Sequence, residues 1–444
     1  MKYIYLCLAL VLMSGCASKT PKTAVAVLPQ VESEKIEFIK GFSEISQDVS
    51  FYTHNIDKGY ISSLDSYEKM YFQPWNINSM DISLQDAMWA YEAFNPSNSY
   101  GENLQPLDES FFNKIKENSN FDAYSSVNKR AITLKKLNIR AFPTDKPVLR
   151  DPDKAGEGFP FDYMQNSSIS ANKPIFVSHY SKDRAWAFVK SSFAYGWVKS
   201  RDIVYIEKKY TDIWQDAQQV FVTKDNEPLY APKQNFLFKS TIGTMLPLIN
   251  ENDEKFHILS IANYKLKEPY YINSVLSKTN AHNGILKFNA KNINLIISEL
   301  LHVNYGWGGL YNQRDCSSTL RDFFAPFGIW LPRNSYQQSK VGKVISLQNM
   351  SDEEKIVTIK QQAVPFETLL YKQGHIVLYI GTFNDKIIIF QNVWGVKTIK
   401  DGKEGRFIIG KTIFSTLQTG SNLSSFDKSA SLLKNLKSMN IITF

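Results

Sequence analysis

The sequence predicts a multidomain chain: a helical N-terminal module, two small β-barrels and a C-terminal α+β domain. Three observations carry that expectation. At 444 residues and 43% hydrophobic content, the chain is too long for one ordinary domain and has ample material for several packed cores. Its texture changes from helical spacing to short β-type runs near residue 129, and returns to a helical stripe near residue 292. Beyond residue 16 it holds a single cysteine, Cys316, where a glycine-rich loop runs into an apolar-striped segment.

The chain opens with Met1 and Lys2, an apolar stretch from Tyr3 to Met13, and then Ser14-Gly15-Cys16. A short positive start, an apolar centre and a small-residue exit are the grammar of an export signal over residues 1–15. The stretch is short for a spanning helix. Because the small residues lead into a cysteine, the segment resembles a bacterial lipoprotein signal, with Cys16 as the lipidated first residue of the mature chain. Ala17 and Ser18 come next, with no aspartate. The resemblance to sorted lipoproteins therefore implies the periplasm, with the anchor in the outer membrane. Acyl chains contribute about 0.8 kcal/mol per buried CH₂, so a multiply acylated cysteine is a stable anchor.

Residues 16–43 are polar and aperiodic and read as a tether. Residues 44–128 form the helical module; Leu84, Ala87, Met88, Tyr91 and Phe94 share one helix face, and Asn95-Pro96 stops it. The first barrel, 129–206, has strand-like runs at 132–137, 174–178, 185–189, 196–198 and 203–206 around a long loop at 143–171. The second, 207–272, has them at 219–222, 228–231, 243–249 and 255–261. The last domain, 273–444, begins with a buried helix at 292–302 and continues into strands at 363–369, 375–380 and 387–390.

The formal charge of +8 is spread along the chain and gathers into no basic tract, which argues against nucleic acid and suits an anionic partner such as cell-wall polymer or headgroups. Of Cys7, Cys16 and Cys316, only the last survives as a free thiol in the mature chain. A lone thiol in an oxidising compartment invites a reactive role. Neither CxxC nor HExxH occurs, and Walker and dinucleotide glycine patterns are missing, so no metal and no cofactor are expected.

Cys316 is flanked by Arg314, Asp315, Ser317 and Ser318, and Leu320, Phe323 and Phe324 give the segment after it a helical stripe. The thiol thus stands at a helix start, where unpaired N–H groups lower a thiol pKa and can receive an oxyanion. Of the six histidines, His375 is the best placed, because it comes directly after Gly374 and opens an alternating strand. The strand returning through 387–390 delivers Gln391 and Asn392 beside it as candidates to fix its tautomer, with Gln391 favoured. An amide orients the ring without stabilising the imidazolium.

With Tyr305-Gly306-Trp307-Gly308-Gly309, Arg314-Asp315-Cys316-Ser317-Ser318, Leu331-Pro332-Arg333-Asn334-Ser335 and Gly374-His375, the chain resembles the NlpC-type cell-wall cysteine peptidases, in the branch with two bacterial SH3-like barrels before the peptidase domain. The resemblance runs from about residue 44 to the end. It implies a papain-like α+β fold that cleaves peptidoglycan stem peptides between γ-D-glutamate and the following diamino acid. Cys316 would be the nucleophile, His375 the general base and Gln391 the third member, where many relatives carry histidine. Asp315 and Ser317 match positions bordering the subsite for the free amine of L-alanine, and Tyr195 would wall it from the first barrel. The partners implied are stem peptides or muropeptides, and the membrane through the lipid anchor. Two other readings keep these residues: a wall-binding lipoprotein with a degenerate peptidase domain, and a thiol acyltransferase.

Overall fold

The computed structural model describes residues 38–442 except 55, 57, 58, 60, 233, 234 and 263–268, so the expected signal, Cys16 and most of the tether lie outside the described residues. Within 50–123 the chain forms short helices, chiefly Ser50–Thr53, Leu64–Tyr71, Leu84–Ala87, Trp89–Ala93 and Glu109–Ser119. Sequence spacing joins the third and fourth of these into one helix. The structure breaks them at Met88, whose φ of −93° and ψ of 4° leave the helical basin.

These helices have no core of their own. Val49 and Tyr52 bury into the C-terminal domain beside Ile293 and Phe414. Tyr67, Tyr71, Phe72 and Trp75 complete the core of the second barrel. Ala90, Phe94, Phe112 and Ile115 pack under Phe142, Val148 and Met164 of the first. The module is a clasp, stabilised by the apolar surface it covers on all three neighbours. Trp75 is its deepest rivet: the ring is 1% exposed and its indole N–H donates to the Ala131 carbonyl at 2.8 Å.

The first barrel is an antiparallel seven-stranded sheet in the order Gln165–Ile169, Leu137–Arg140, Tyr195–Lys199, Trp186–Lys190, Pro174–Tyr180, Lys129–Thr133, Ile203–Tyr205. Two expectations change here. The run at 132–137 is two strands, because the chain turns between Thr133 and Leu137, where the Leu134 N–H bonds the Asp202 carbonyl. The long loop at 143–171 contains the strand Gln165–Ile169, whose inward residues include Gln165 and Ser167, so apolar alternation does not mark it.

The second barrel is a five-stranded sheet ordered Tyr270–Ser277, Lys255–Ala262, Met245–Glu251, Gln219–Val222, Ala281–Asn283, with the hairpin of Glu227–Tyr230 and Phe236–Ser240 beside it. The sequence boundary at 272 falls inside its edge strand, and the barrel ends at Asn283. Buried polar bonds lock the two barrels together. Asn172 donates to the Ile261 carbonyl at 2.9 Å, and the Lys173 ammonium donates to the Gly243 carbonyl at 3.0 Å while lying over the Tyr71 ring.

The C-terminal domain sets the helices Ala290–Leu300 and Cys316–Phe324 against a six-stranded antiparallel sheet ordered Lys343–Ser346, Ser438–Ile441, Thr368–Lys372, His375–Phe383, Lys386–Lys400, Lys403–Thr416. The strand expected at 363–369 begins at Thr368, because Pro365 and a left-handed Phe366 (φ 63°) bend the chain before it. Ile376, Leu378 and Ile380 pack under the Cys316 helix, while Val377 and Tyr379 pack on the other face beneath Ile359. No described helix is long and apolar enough to cross a membrane.

Trp75→Ala should cost about 3–5 kcal/mol, as large-to-small core changes do. The measurement is the denaturant midpoint of the whole chain, which should fall with the slope unchanged.

Candidate active site

The helix bearing the thiol starts with a reciprocal cap. Asp315 accepts from the Ser318 N–H at 2.9 Å, and the Ser318 hydroxyl accepts from the Asp315 N–H at 2.9 Å. This makes Cys316 the first helical residue. Its side chain is 8% exposed and lies on the floor of a cleft of about 690 Å³.

Asp315 does more than cap. Arg333 pairs with it at 2.6 and 3.2 Å, donates to the Ser317 hydroxyl at 2.9 Å, and reaches the Ser167 hydroxyl of the first barrel at 2.7 Å. The guanidinium holds the Asp315 carboxyl below its usual range against the opposing effect of burial. Arg333 lies within the motif spanning 331–335, yet sequence reasoning assigned it no role. The available signal was chemical, since a buried carboxylate requires a counter-ion.

The loop before the helix is shaped by the barrel beside it. Gly308 and Gly309 have φ of 59° and 86°, and an added Cβ would fall 2.2 Å from the Gln165 carbonyl oxygen and 2.2 Å from the Ser168 hydroxyl. Gln165 also donates to the Gly308 carbonyl at 3.1 Å. Trp307 is thereby held against Phe161 and Tyr163, with ring centroids 5.2 and 5.4 Å away. Tyr305, which sequence reasoning left unassigned, lines the cleft beside Cys316 as a neutral phenol, its pKa raised by burial and by the neighbouring thiol and Asp315.

His375 opens its strand directly after Gly374, whose φ of 78° completes the tight turn Gln373-Gly374. Its Nε2 bonds the Gln391 Oε1 at 2.8 Å, and the Gln391 amide N–H donates to the Ser415 hydroxyl at 2.7 Å. That relay makes Nε2 the protonated nitrogen and leaves Nδ1 with a lone pair. Asn392, the other candidate, points elsewhere and donates to the Arg314 carbonyl at 2.9 Å and the Thr319 hydroxyl at 3.1 Å, which ties the strand to the thiol helix.

The thiol reaches the start of the His375 strand through the backbone of Ile376, while the thiol and the ring line different clefts. The backbone N–H groups of Ile376 and Ser317 approach the sulfur and favour its thiolate, and Asp315 interacts electrostatically with both partners. No hydrogen bond directly joins Cys316 to His375. Burial pushes the thiol up to about 12, reinforced by Asp315, and burial pushes the imidazole down to about 4, with the Gln391 bond working against that fall. The expected lowering of the thiol by the helix start is outweighed, chiefly by burial and secondarily by the carboxylate of the cap. The resting pair is neutral.

Tyr195 lines the same cleft, with its hydroxyl donating to the Asp86 carbonyl of the clasp at 3.2 Å. Ile82 and Trp89 of the clasp share this wall. A second cleft, of about 490 Å³, opens on the side where His375 and Gln391 lie, and the two clefts share Tyr305, Trp307 and Gly374. Among the described residues no group of three or more His, Cys, Asp or Glu could hold a metal ion.

A cysteine at a helix start, beside the first residues of a sheet strand that opens with a histidine held by an amide, has the layout of a papain-like α+β domain. Four family models match in order: the NLPC_P60 stabilising domain, N term, over 5–124; an SH3 domain of SH3b1 type over 147–199; an SH3 domain of SH3b2 type over 208–252; and the NlpC/P60 family over 302–389. The chain therefore carries an NlpC/P60 family domain over 302–389, with an NLPC_P60 stabilising domain and two SH3 domains ahead of it. It is similar to an NlpC/P60 endopeptidase from Photobacterium damselae subsp. piscicida, at 25% identity and a TM-score of 0.79 over 89% of this chain and 97% of that one. An NlpC/P60 family protein from Bacillus cereus ATCC 10987 aligns at 15% identity and a TM-score of 0.46, over 70% of this chain and 99% of that one. No curated protein matches.

The His375 ring should titrate near 4 rather than at its ordinary value. Its depressed folded pKa means that stability it contributes is present above the ordinary value and is lost as pH falls through the folded one. Ring-proton NMR across pH 3–8 checks this, and a midpoint near 6.5 would show a ring open to water.

Proposed function

We propose that this chain is a peptidoglycan hydrolase that cleaves stem peptides between γ-D-glutamate and the diamino acid, through an acyl-enzyme on Cys316. The observation that carries the reading is the junction at Ile376: its N–H approaches the Cys316 sulfur, and the preceding residue is a histidine held by Gln391. The coarser part of the reading, a hydrolase of the NlpC/P60 cysteine peptidase family, rests on the domain match over 302–389.

In the reaction, the thiol proton passes to Nδ1 of His375 as sulfur attacks the γ-carbonyl carbon, and the carbonyl π electrons move to oxygen. The Cys316 backbone N–H, orphaned at the helix start, and the Tyr305 phenol supply donors for that oxyanion. Collapse breaks the C–N bond, and Nδ1 returns the proton to the leaving amine. Water then repeats the sequence on the thioester. Because thiol and imidazole rest neutral, proton transfer accompanies attack, and a hydrogen bond between them forms only around substrate.

The acyl half of the stem lies in the Cys316 cleft. Asp315 and Ser317 border the free L-alanine amine, and Tyr195 with Trp89 closes the far wall, which excludes stems still attached to glycan. That favours stem peptides already released from the sugar. Lipid on Cys16 holds the protein to the outer membrane in the periplasm, a reading supported by the Ser14-Gly15-Cys16 exit of the apolar start.

Digestion of defined free stem peptides, with the matching muropeptides as the excluded comparison, and mass spectrometry of the products test this. Cys316→Ala and His375→Ala should each abolish cleavage, with circular dichroism unchanged. Gln391→Leu should lower kcat about tenfold to a hundredfold with little change in KM, since it removes orientation and leaves the acid–base group. Inert wild-type protein that still binds muropeptides would replace hydrolysis with the wall-binding reading.

A further inference from the structure

The cleft on the His375 side carries an excess of positive charge that the hydrolytic steps do not use. Lys372, Lys397 and Arg406 line it, and among the described residues no aspartate or glutamate does. Lys397 is already paired, with Glu404 and with Asp427 at 3.5 Å. The Lys372 ammonium makes no hydrogen bond or ion pair among the described residues, and the Arg406 guanidinium makes only a long bond, 3.4 Å, to the Glu157 carbonyl. Burial alone pushes the Lys372 ammonium below its ordinary pKa. A partly buried, unpaired cation is a cost that a bound anion would offset.

The position of Lys372 says which part of a ligand would bring that anion. Lys372 and His375 are direct cross-strand partners either side of Gln373-Gly374, so their side chains project from the same face. His375 must protonate the leaving amine, and the leaving fragment therefore departs along the cleft that His375 lines, while the acyl half stays over Cys316. We propose that Lys372, supported by Arg406, forms a carboxylate subsite that selects stem peptides whose leaving diamino acid carries a free side-chain carboxylate. The proposal rests on the hydrolase reading and deepens it from bond to leaving group. A carboxylate seated there also cancels the Lys372 charge that opposes protonation of His375. The substrate would thus supply a negative charge that Gln391, an amide, cannot.

The test uses the full chain and two tripeptides that share the acyl half L-alanyl-γ-D-glutamyl. One ends in meso-diaminopimelate, and the other in the same residue with its side-chain carboxylate amidated. Wild-type kcat/KM should favour the free carboxylate about tenfold, chiefly through KM, the scale of one charge-assisted hydrogen bond. In Lys372→Met that ratio should fall toward one, Lys372→Arg should restore it, and Arg406→Met should reduce it partly. Equal cleavage of both peptides by the wild type, or an unchanged ratio in Lys372→Met, overturns the subsite. Calorimetry on Cys316→Ala with the same peptides separates this outcome from failure of the hydrolase reading. If nothing is cleaved, a binding preference for the free carboxylate that disappears in the Cys316→Ala, Lys372→Met double variant upholds the subsite, and equal binding overturns it.

Discussion

The ion pair of Asp315 and Arg333 holds the site together. One carboxylate caps the helix that begins with the thiol, and one guanidinium binds that carboxylate, the next hydroxyl and a serine of the first barrel. Removing one partner of a buried pair typically costs about 3–5 kcal/mol, because the other charge is left stranded. Here the loss would also free the helix start from the barrel. The pair also bears on the thiol: burial is the main reason it rests protonated, the Asp315 charge beside the sulfur adds to that, and Arg333 works against it.

A second ionic cluster does the same work one turn away. Arg314 is bound by Asp225 of the second barrel at 2.7 Å and by Asp322 of the thiol helix at 2.7 Å, while its carbonyl accepts from Asn392. Both barrels therefore grip the residues flanking Cys316, and the clasp covers all three bodies with aromatic side chains. The site is an interface as much as a domain, since its floor comes from the C-terminal domain and its walls from the first barrel and the clasp.

Much of the site was legible in the sequence. Cys316, His375 and Gln391 could be singled out because glycine, turn and alternation signals surround them, and the choice of Gln391 over Asn392 needed only the hairpin register that the structure supplies. What stayed hidden was polar. The Gln165–Ile169 strand turns glutamine and serine inward to serve the loop that carries Gly308 and Gly309, so it lacks apolar alternation, and Arg333 declares itself only once Asp315 is seen to be buried. The second barrel overran its expected end because its last strands carry no break in texture at residue 272. Phe366, buried with a left-handed backbone, made a turn look like strand.

Gly308 and Gly309 lie so close to the first barrel that no side chain fits between them and its backbone. The barrel is thus a mould against which the loop bearing Tyr305 and Trp307 is cast. A C-terminal domain cut free of it would keep its thiol and imidazole but lose the surface that presses those aromatic rings into shape. The heritable unit of this chemistry is accordingly the whole assembly, and recombination that exchanged one barrel for another would have to preserve the contour of a single strand.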